Sequence, residues 1–116
     1  MTASSCLFCK IIAGEIPSTT VYKDEQVTAF RDINPAGPTH VLIVPNRHIA
    51  SINETTPEDA PLLGYLFIVA RKIAEAEKVA ENGYRVIVNT GEHGGQTVHH
   101  LHMHVIGGQR MKHPMG

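Results

Sequence analysis

Residues 97–108 read Thr-Val-His-His-Leu-His-Met-His-Val-Ile-Gly-Gly, and no other stretch constrains the fold as tightly. His100, His102 and His104 recur at two-residue spacing, with Leu101, Met103 and Val105 between them. Two is the period of an extended strand, whose successive side chains point to opposite faces. A helix would scatter the imidazoles around its axis. The stretch is therefore predicted to be a strand carrying three imidazoles on one face, about 6.6 Å apart along the chain at ~3.3 Å per residue. Its other face is apolar and packs on a core. A purification tag or a solvent-facing run of histidines would not alternate with apolar residues in this way.

The rest of the chain supplies a single domain around that strand. It has 116 residues, 42% of them hydrophobic, enough for one core and too many for a disordered chain. Ten Lys and Arg against eleven Asp and Glu leave a net charge of −1, so no general attraction to nucleic acid or to an anionic membrane is expected. The apolar runs are too short and interrupted for a membrane span, and the first residues lack the basic and apolar regions of a secretory leader. A cytoplasmic protein is expected.

In chain order, residues 6–13 place Leu7 with Ile11 and Phe8 with Ile12 at helical offsets, a short helix stopped by Gly14. Residues 19–23 and 26–32 read as a hairpin, and 34–38 (Asn-Pro-Ala-Gly-Pro) as a loop. Residues 40–45 form a buried strand ended by proline, and 49–54 hold a short helical turn. The long helix starts at Thr56 as cap, with Pro57 at its first position and Glu58 and Asp59 at the positive end of the dipole. Leu62, Leu63, Leu66, Val69, Ala70, Ile73 and Ala74 form its apolar stripe, and Gly83 is its predicted left-handed stop. Residues 84–89 are a further strand. The expected class is α+β: an antiparallel meander broken by one long helix, with the core over about 6–108. The polar tail 109–116 is expected to lie against something, a partner subunit being one candidate.

Two features carry chemistry beside the histidines. Gly91, Gly94 and Gly95, followed by Gln96 and Thr97, are a loop in which backbone N–H groups approach an anion closely. Alone it reads as an ordinary turn. Set before three in-line imidazoles, it suggests phosphoryl or nucleotidyl transfer through a phospho-histidine. Cys6 and Cys9 form a Cys-x-x-Cys pair, open to three readings: a redox pair, half of a zinc site, or small residues of an N-terminal turn. A thioredoxin-like role would need a preceding strand, and none precedes Cys6.

The motif His100-Leu101-His102-Met103-His104-Val105-Ile106 resembles the signature of the histidine triad family of nucleotide hydrolases and transferases. The likeness extends through Lys10-Ile11-Ile12, Glu15-Ile16-Pro17, residues 29–33, Pro38-Thr39-His40, Val44-Pro45 and residues 94–97, and through Gly107-Gly108 and residues 111–114 it resembles the Hint branch, the purine nucleoside phosphoramidases. Two positions depart from the pattern. His99 stands where many members carry an aromatic residue, and His113 where tryptophan is usual, which bears on how the tail shapes the pocket.

The resemblance implies that His102 is the nucleophile on the α-phosphorus and that His104 contacts phosphate and manages the leaving-group proton. His100 and His40 would order the cluster, and Asp32 would hold the ribose hydroxyls. Phe8, Ile11, Phe30 and Ile33 would wall the base, while Asn89, Gly95, Gln96 and Thr97 line the phosphate side. Read from the residues alone, Phe30 and Ile33 are equally plain core, Asp32 a solvated turn residue, His40 a structural histidine and Asn89 a strand-end cap. The resemblance also implies a homodimer and a purine nucleotide substrate, with no cofactor needed for catalysis. Some members bind structural zinc at positions that here hold Cys6, Cys9, His48 and His100, a donor set suited to a tetrahedral ion. The implied activity is hydrolysis of the P–N bond of nucleoside phosphoramidates. Alternatives are a non-catalytic nucleotide-binding module, a dinucleoside polyphosphate hydrolase, and a metallohydrolase with zinc held by the three triad histidines.

Overall fold

The computed structural model describes residues 5–115; the leader reading at residues 1–4 and the last glycine lie outside them. Five antiparallel strands form one sheet: β1 (Thr20–Lys23), β2 (Val27–Arg31), β3 (Thr39–Pro45), β4 (Tyr84–Ile87) and β5 (Met103–Gly107), in the order β1-β2-β3-β5-β4. The first three strands are the expected meander. The chain then crosses through the long helix, and β5 inserts between β3 and β4, where Leu42 pairs with His104 and Ile87 pairs with His104 from the other side.

Strand alternation splits the sheet into two unlike faces. Val27 and Ala29, Val41 and Ile43, and Met103 and Val105 point to one side and pack under α2 (Ala60–Ala76), which contributes Leu66, Val69, Ala70 and Ile73. Phe30, Leu42 and Val44 point to the other side, where α1 (Leu7–Ile12) and its cap cover them with Cys6 and Phe8. The short helix covers only part of that second face, so His40 and His104, which share it by register, stand beside its edge.

The long helix starts as the sequence indicates. Thr56 and Asp59 form a reciprocal capping box, and Pro57–Asp59 make a 3₁₀ turn that leads into α2. Its end differs from expectation. The helix stops at Ala76, and Lys78, not Gly83, takes the left-handed position that closes it, at φ +63. The N–H groups of Lys78 and Val79 return to the carbonyls of Glu75 and Ala74, the paired bonds of a Schellman turn. The early stop lets Val79 tuck beneath the sheet beside Gly107, where a Cβ on the glycine would meet it at 3.0 Å. Gly83, at φ +107, serves a later turn into β4. The opposite end of the fold is clasped by Asp24, whose side chain accepts from the hydroxyls of Tyr22 and Tyr65 and from the N–H groups of Gln26 and Val27.

The histidine stretch also differs in extent. Only residues 103–107 lie in the ladder, so His104 is on a strand and His100 and His102 are on the segment leading into it. β3 ends at Pro45, and the Pro45 carbonyl takes the Nε2–H of His100 instead of extending the ladder. Alternation survives this loss of pairing: Leu101 and Met103 still pack under α2, and the histidines still face the other way. The tail returns over the sheet edge, where Arg85 donates to the carbonyl of His113.

Candidate active site and metal centre

His102 and His104 are adjacent, with ring centroids 5.0 Å apart. His102 is buried. Its Nδ1 lies 2.7 Å from the carbonyl oxygen of His100, an acceptor, so the proton sits on Nδ1 and Nε2 keeps a bare lone pair. Phe8 stands edge-on to the ring at 5.1 Å and fixes its plane. Burial pushes the pKa of His102 down, and His104 falls to about 4, first through burial and then through the His102 and His40 rings. Burial and the two neighbouring rings therefore hold His104 neutral near neutral pH. His40 is 2.9 Å from His104 through Nε2 and Nδ1, and 3.4 Å from a carboxylate oxygen of Asp32. Burial lowers its pKa too, against the pull of Asp32.

Asp32 is half-buried just past β2. One of its oxygens accepts the N–H of Asn34 at 2.8 Å, and the other faces His40. Phe8 and Phe30 are buried and packed edge to face, 5.3 Å apart, so both form the floor of the region, while Ile11 is half-buried above them. Ile33 is 91% exposed and stands free at the rim.

The glycine-rich loop is built from within. The Gln96 side chain is buried: its oxygen accepts the N–H of Gly91, and its amide donates to the carbonyls of Ala50 and Val98. Asn89 donates to the Gly94 carbonyl, and a Cβ at Gly94 would fall 2.3 Å from the Thr90 oxygen, so the turn requires glycine there. The N–H groups of Gly91, Gly95 and Gln96 are spent inside the loop, which leaves exposed Thr97 facing the solvent side. The Gln96 clamp and the backbone carbonyls of Pro45 and His100 were not visible in the sequence as positioning groups. A backbone acceptor leaves no trace in residue identity.

The ring of His100, the first histidine of the motif, faces elsewhere. The His100 ring is fully buried among Cys6, Cys9 and His48, not in the pocket, and only its carbonyl reaches His102. Its Nε2 donates to Pro45, so its Nδ1 lone pair points at the other three donors. The separations are 3.3 Å from Cys6 Sγ, 3.5 Å from Cys9 Sγ and 3.2 Å from His48 Nδ1, with His48 Nδ1 3.3 Å from Cys9 Sγ. A tetrahedral zinc with ordinary Zn–S and Zn–N bonds has S···N and N···N edges of about 3.3–3.6 Å. The four residues fit such an ion. The N–H of Cys9 points at Cys6 Sγ, and burial and the neighbouring Cys6 push the Cys9 thiol up to about 11. No disulfide joins the pair.

Among the described residues no helix is long and apolar enough to cross a membrane. The HIT domain family model matches residues 13–111. The chain is 54% identical over 107 residues to the purine nucleoside phosphoramidase of Escherichia coli, covering 92% of this chain and 90% of that protein. It superposes on a HIT family hydrolase from Legionella pneumophila with TM-score 0.93 at 50% identity, over 97% of this chain and all of that one. A Zn-bound histidine triad family protein from Mycobacterium smegmatis aligns with TM-score 0.82 at 30% identity, over 99% and 82% of the two chains. A family model over most of the chain and close relatives over nearly its whole length agree with the paired histidines of the pocket: the chain belongs to the HIT domain family.

Proposed function

We propose that this HIT-family hydrolase cleaves the P–N bond of purine nucleoside 5′-phosphoramidates through a nucleotide carried on His102. The observation that carries the reading is the 2.7 Å bond from His102 Nδ1 to the His100 carbonyl, which orients the ring and leaves Nε2 bare. The similarity to the Escherichia coli phosphoramidase supports the substrate class. In the first step the Nε2 lone pair forms a bond to the α-phosphorus, the P–N bond breaks, and the leaving nitrogen takes up a proton. In the second, water attacks phosphorus, His102 leaves, and the water gives back a proton, so the cycle is proton-neutral. Catalysis is positioning together with stabilisation of charge on the phosphoryl oxygens, the part assigned to His104 and Thr97. Asp32 accepts the ribose hydroxyls, and Ile11, Ile33, Phe8 and Phe30 receive the base. Asn89, Gly95 and Gln96 shape the phosphate side of the pocket.

Structural zinc held by Cys6, Cys9, His48 and His100 belongs to the same proposal. It would tie α1 to the segment that carries the nucleophile and would take no part in the reaction. The working unit is a cytoplasmic homodimer. Gly64, Phe67, Ile68 and Arg71 form a second stripe on α2, facing away from the core, with Phe67 58% and Ile68 46% exposed.

The test is single-turnover trapping with a labelled adenosine phosphoramidate. The intact protein should hold an acid-labile, base-stable nucleotide adduct that His102→Ala lacks, while the variant still binds AMP. Tight binding without adduct or turnover would support a binding module instead, and chelator-sensitive hydrolysis without adduct would support metal chemistry. If His102→Ala retains more than a small fraction of the wild-type rate, the covalent route is wrong.

A further inference from the structure

The bare Nε2 of His102 stands beside the ring of His104, and the two have opposite tasks in the proposed reaction. One must offer a lone pair to phosphorus, and the other must offer an N–H to oxygens. We infer that the backbone N–H of Ala36 is a positioning group that assigns the second of these roles, by fixing the proton of His40 and through it the proton of His104. The inference rests on the reading of His102 and His104 as the reacting histidines.

The geometry leaves one consistent arrangement. The Ala36 N–H lies 2.9 Å from His40 Nδ1, and a backbone N–H can only donate. His40 Nδ1 therefore carries a lone pair, and the single proton of the neutral ring is on Nε2. That Nε2 is 2.9 Å from His104 Nδ1, so it donates there, with the Asp32 carboxylate as a longer second acceptor at 3.4 Å. His104 Nδ1 then carries the lone pair, and its proton sits on Nε2. The reverse arrangement would put a proton on His40 Nδ1 facing the Ala36 N–H, two hydrogens on one 2.9 Å line.

The charged and titratable groups facing the pair are Asp32 from the end of β2 and His102 from the approach to β5; the rings of His40 and His104 face each other. Both rings are held neutral by burial, so the one-proton argument applies to each. A second consequence follows. Asp32, His40 and His104 converge closely enough to suggest a metal site, yet His40 presents an N–H there, so ligation would cost the Ala36 bond.

The sequence of the loop makes this possible. Pro35 and Pro38 have no N–H, Asp32 Oδ1 takes the N–H of Asn34, and the Ala36 N–H remains for His40. Gly37 lets the loop press on β5: a Cβ there would lie 3.2 Å from Ile106 Cγ2 and 3.3 Å from the Gly107 carbonyl oxygen.

The experiment is long-range ¹H–¹⁵N NMR on zinc-loaded protein labelled at histidine nitrogen, near neutral pH and without substrate. The expected result is His40 and His104 protonated on Nε2 and His102 on Nδ1. A proton on His40 Nδ1 in the wild type overturns the inference, with no variant needed. Ala36→Gly keeps the N–H and should leave tautomers and kcat unchanged. Ala36→Pro removes it and should mix the His40 and His104 tautomers and lower kcat at least about tenfold, as losing an orienting partner does, with AMP affinity changed less. A folded Ala36→Pro protein with wild-type tautomers and kcat overturns the inference. Because the spectra do not depend on turnover, a wild-type protein with the expected tautomers but no phosphoramidase activity would refute the proposed reaction and not the lock.

Discussion

Acidification should expose how much the fold loses by keeping His104 neutral. Its pKa falls from 6.5 to about 4, through burial first and the neighbouring His102 and His40 rings second. Between those values the unfolded chain binds more protons than the folded one. The stability associated with this ring is thus complete above about pH 6.5 and is lost as pH falls toward 4. From pH 7 to pH 5, linkage with these two values sets the loss at about 2 kcal/mol. Water on the open side of the pocket screens the ring, so roughly 1 kcal/mol is the working figure. Urea titrations of the wild type and of His104→Asn at the two pH values measure it. The wild type should lose about 1 kcal/mol more than the variant, with unchanged m-values. The rings of His40 and His102 touch His104, so the difference reads the contact among the three rings as well as the burial of His104. Equal losses would show that His104 is not held neutral by its surroundings.

Asp32→Ala should weaken AMP binding by about 1.5–3 kcal/mol for each ribose hydrogen bond lost, read by calorimetry, with the melting temperature little changed; unaltered affinity would remove Asp32 from the site. Metal analysis of protein prepared without chelator or a metal column should find one zinc per chain, absent from the Cys6→Ala, Cys9→Ala double variant, whereas metal-free native protein would leave the cysteines as helix-end residues. Sedimentation should give twice the 12.7 kDa chain mass, and Phe67→Glu should give the monomer, because a charge on the outward stripe of α2 is costly to bury. A wild-type monomer at every concentration would reject the dimer.

The second-order pattern of the sheet was legible because alternation survives even where strand pairing does not. His100, Leu101, His102 and Met103 keep their sides of the sheet though only Met103 is in the ladder. The extent of the strand was not legible, since it depends on β3 ending at Pro45 and on the His100 ring claiming the carbonyl there. The insertion of β5 between β3 and β4 is likewise long-range information that no local period carries. The helix end was misread because Gly83 is the obvious left-handed residue, whereas Lys78 accepts that conformation so that Val79 can be buried. The fold brings together residues that the sequence singled out: Asp32, His40, His102 and His104 converge, and so do Cys6, Cys9, His48 and His100. What alternation alone could not separate was which triad ring is buried in the cysteine cluster, because a buried ring and an open one look alike on alternate residues.

That division has a structural logic. His100 faces two ways: its ring completes the cysteine cluster, and its carbonyl holds the proton of His102. Phe8 lies between Cys6 and Cys9 in sequence, and its ring stands against both His100 and His102. A disturbance of the cysteine cluster thus has two routes to His102, one through the His100 backbone and one through the Phe8 ring. His104 touches that circuit at the His102 ring. It answers to His40, Asp32 and the loop of residues 32–38, on the opposite side of the pocket. The lone pair and the neighbouring ring that the proposed reaction brings to one phosphorus are therefore steadied by separate parts of the chain. Loss of the cysteine–histidine cluster should disturb His102 first, and loss of the loop should disturb His104 first.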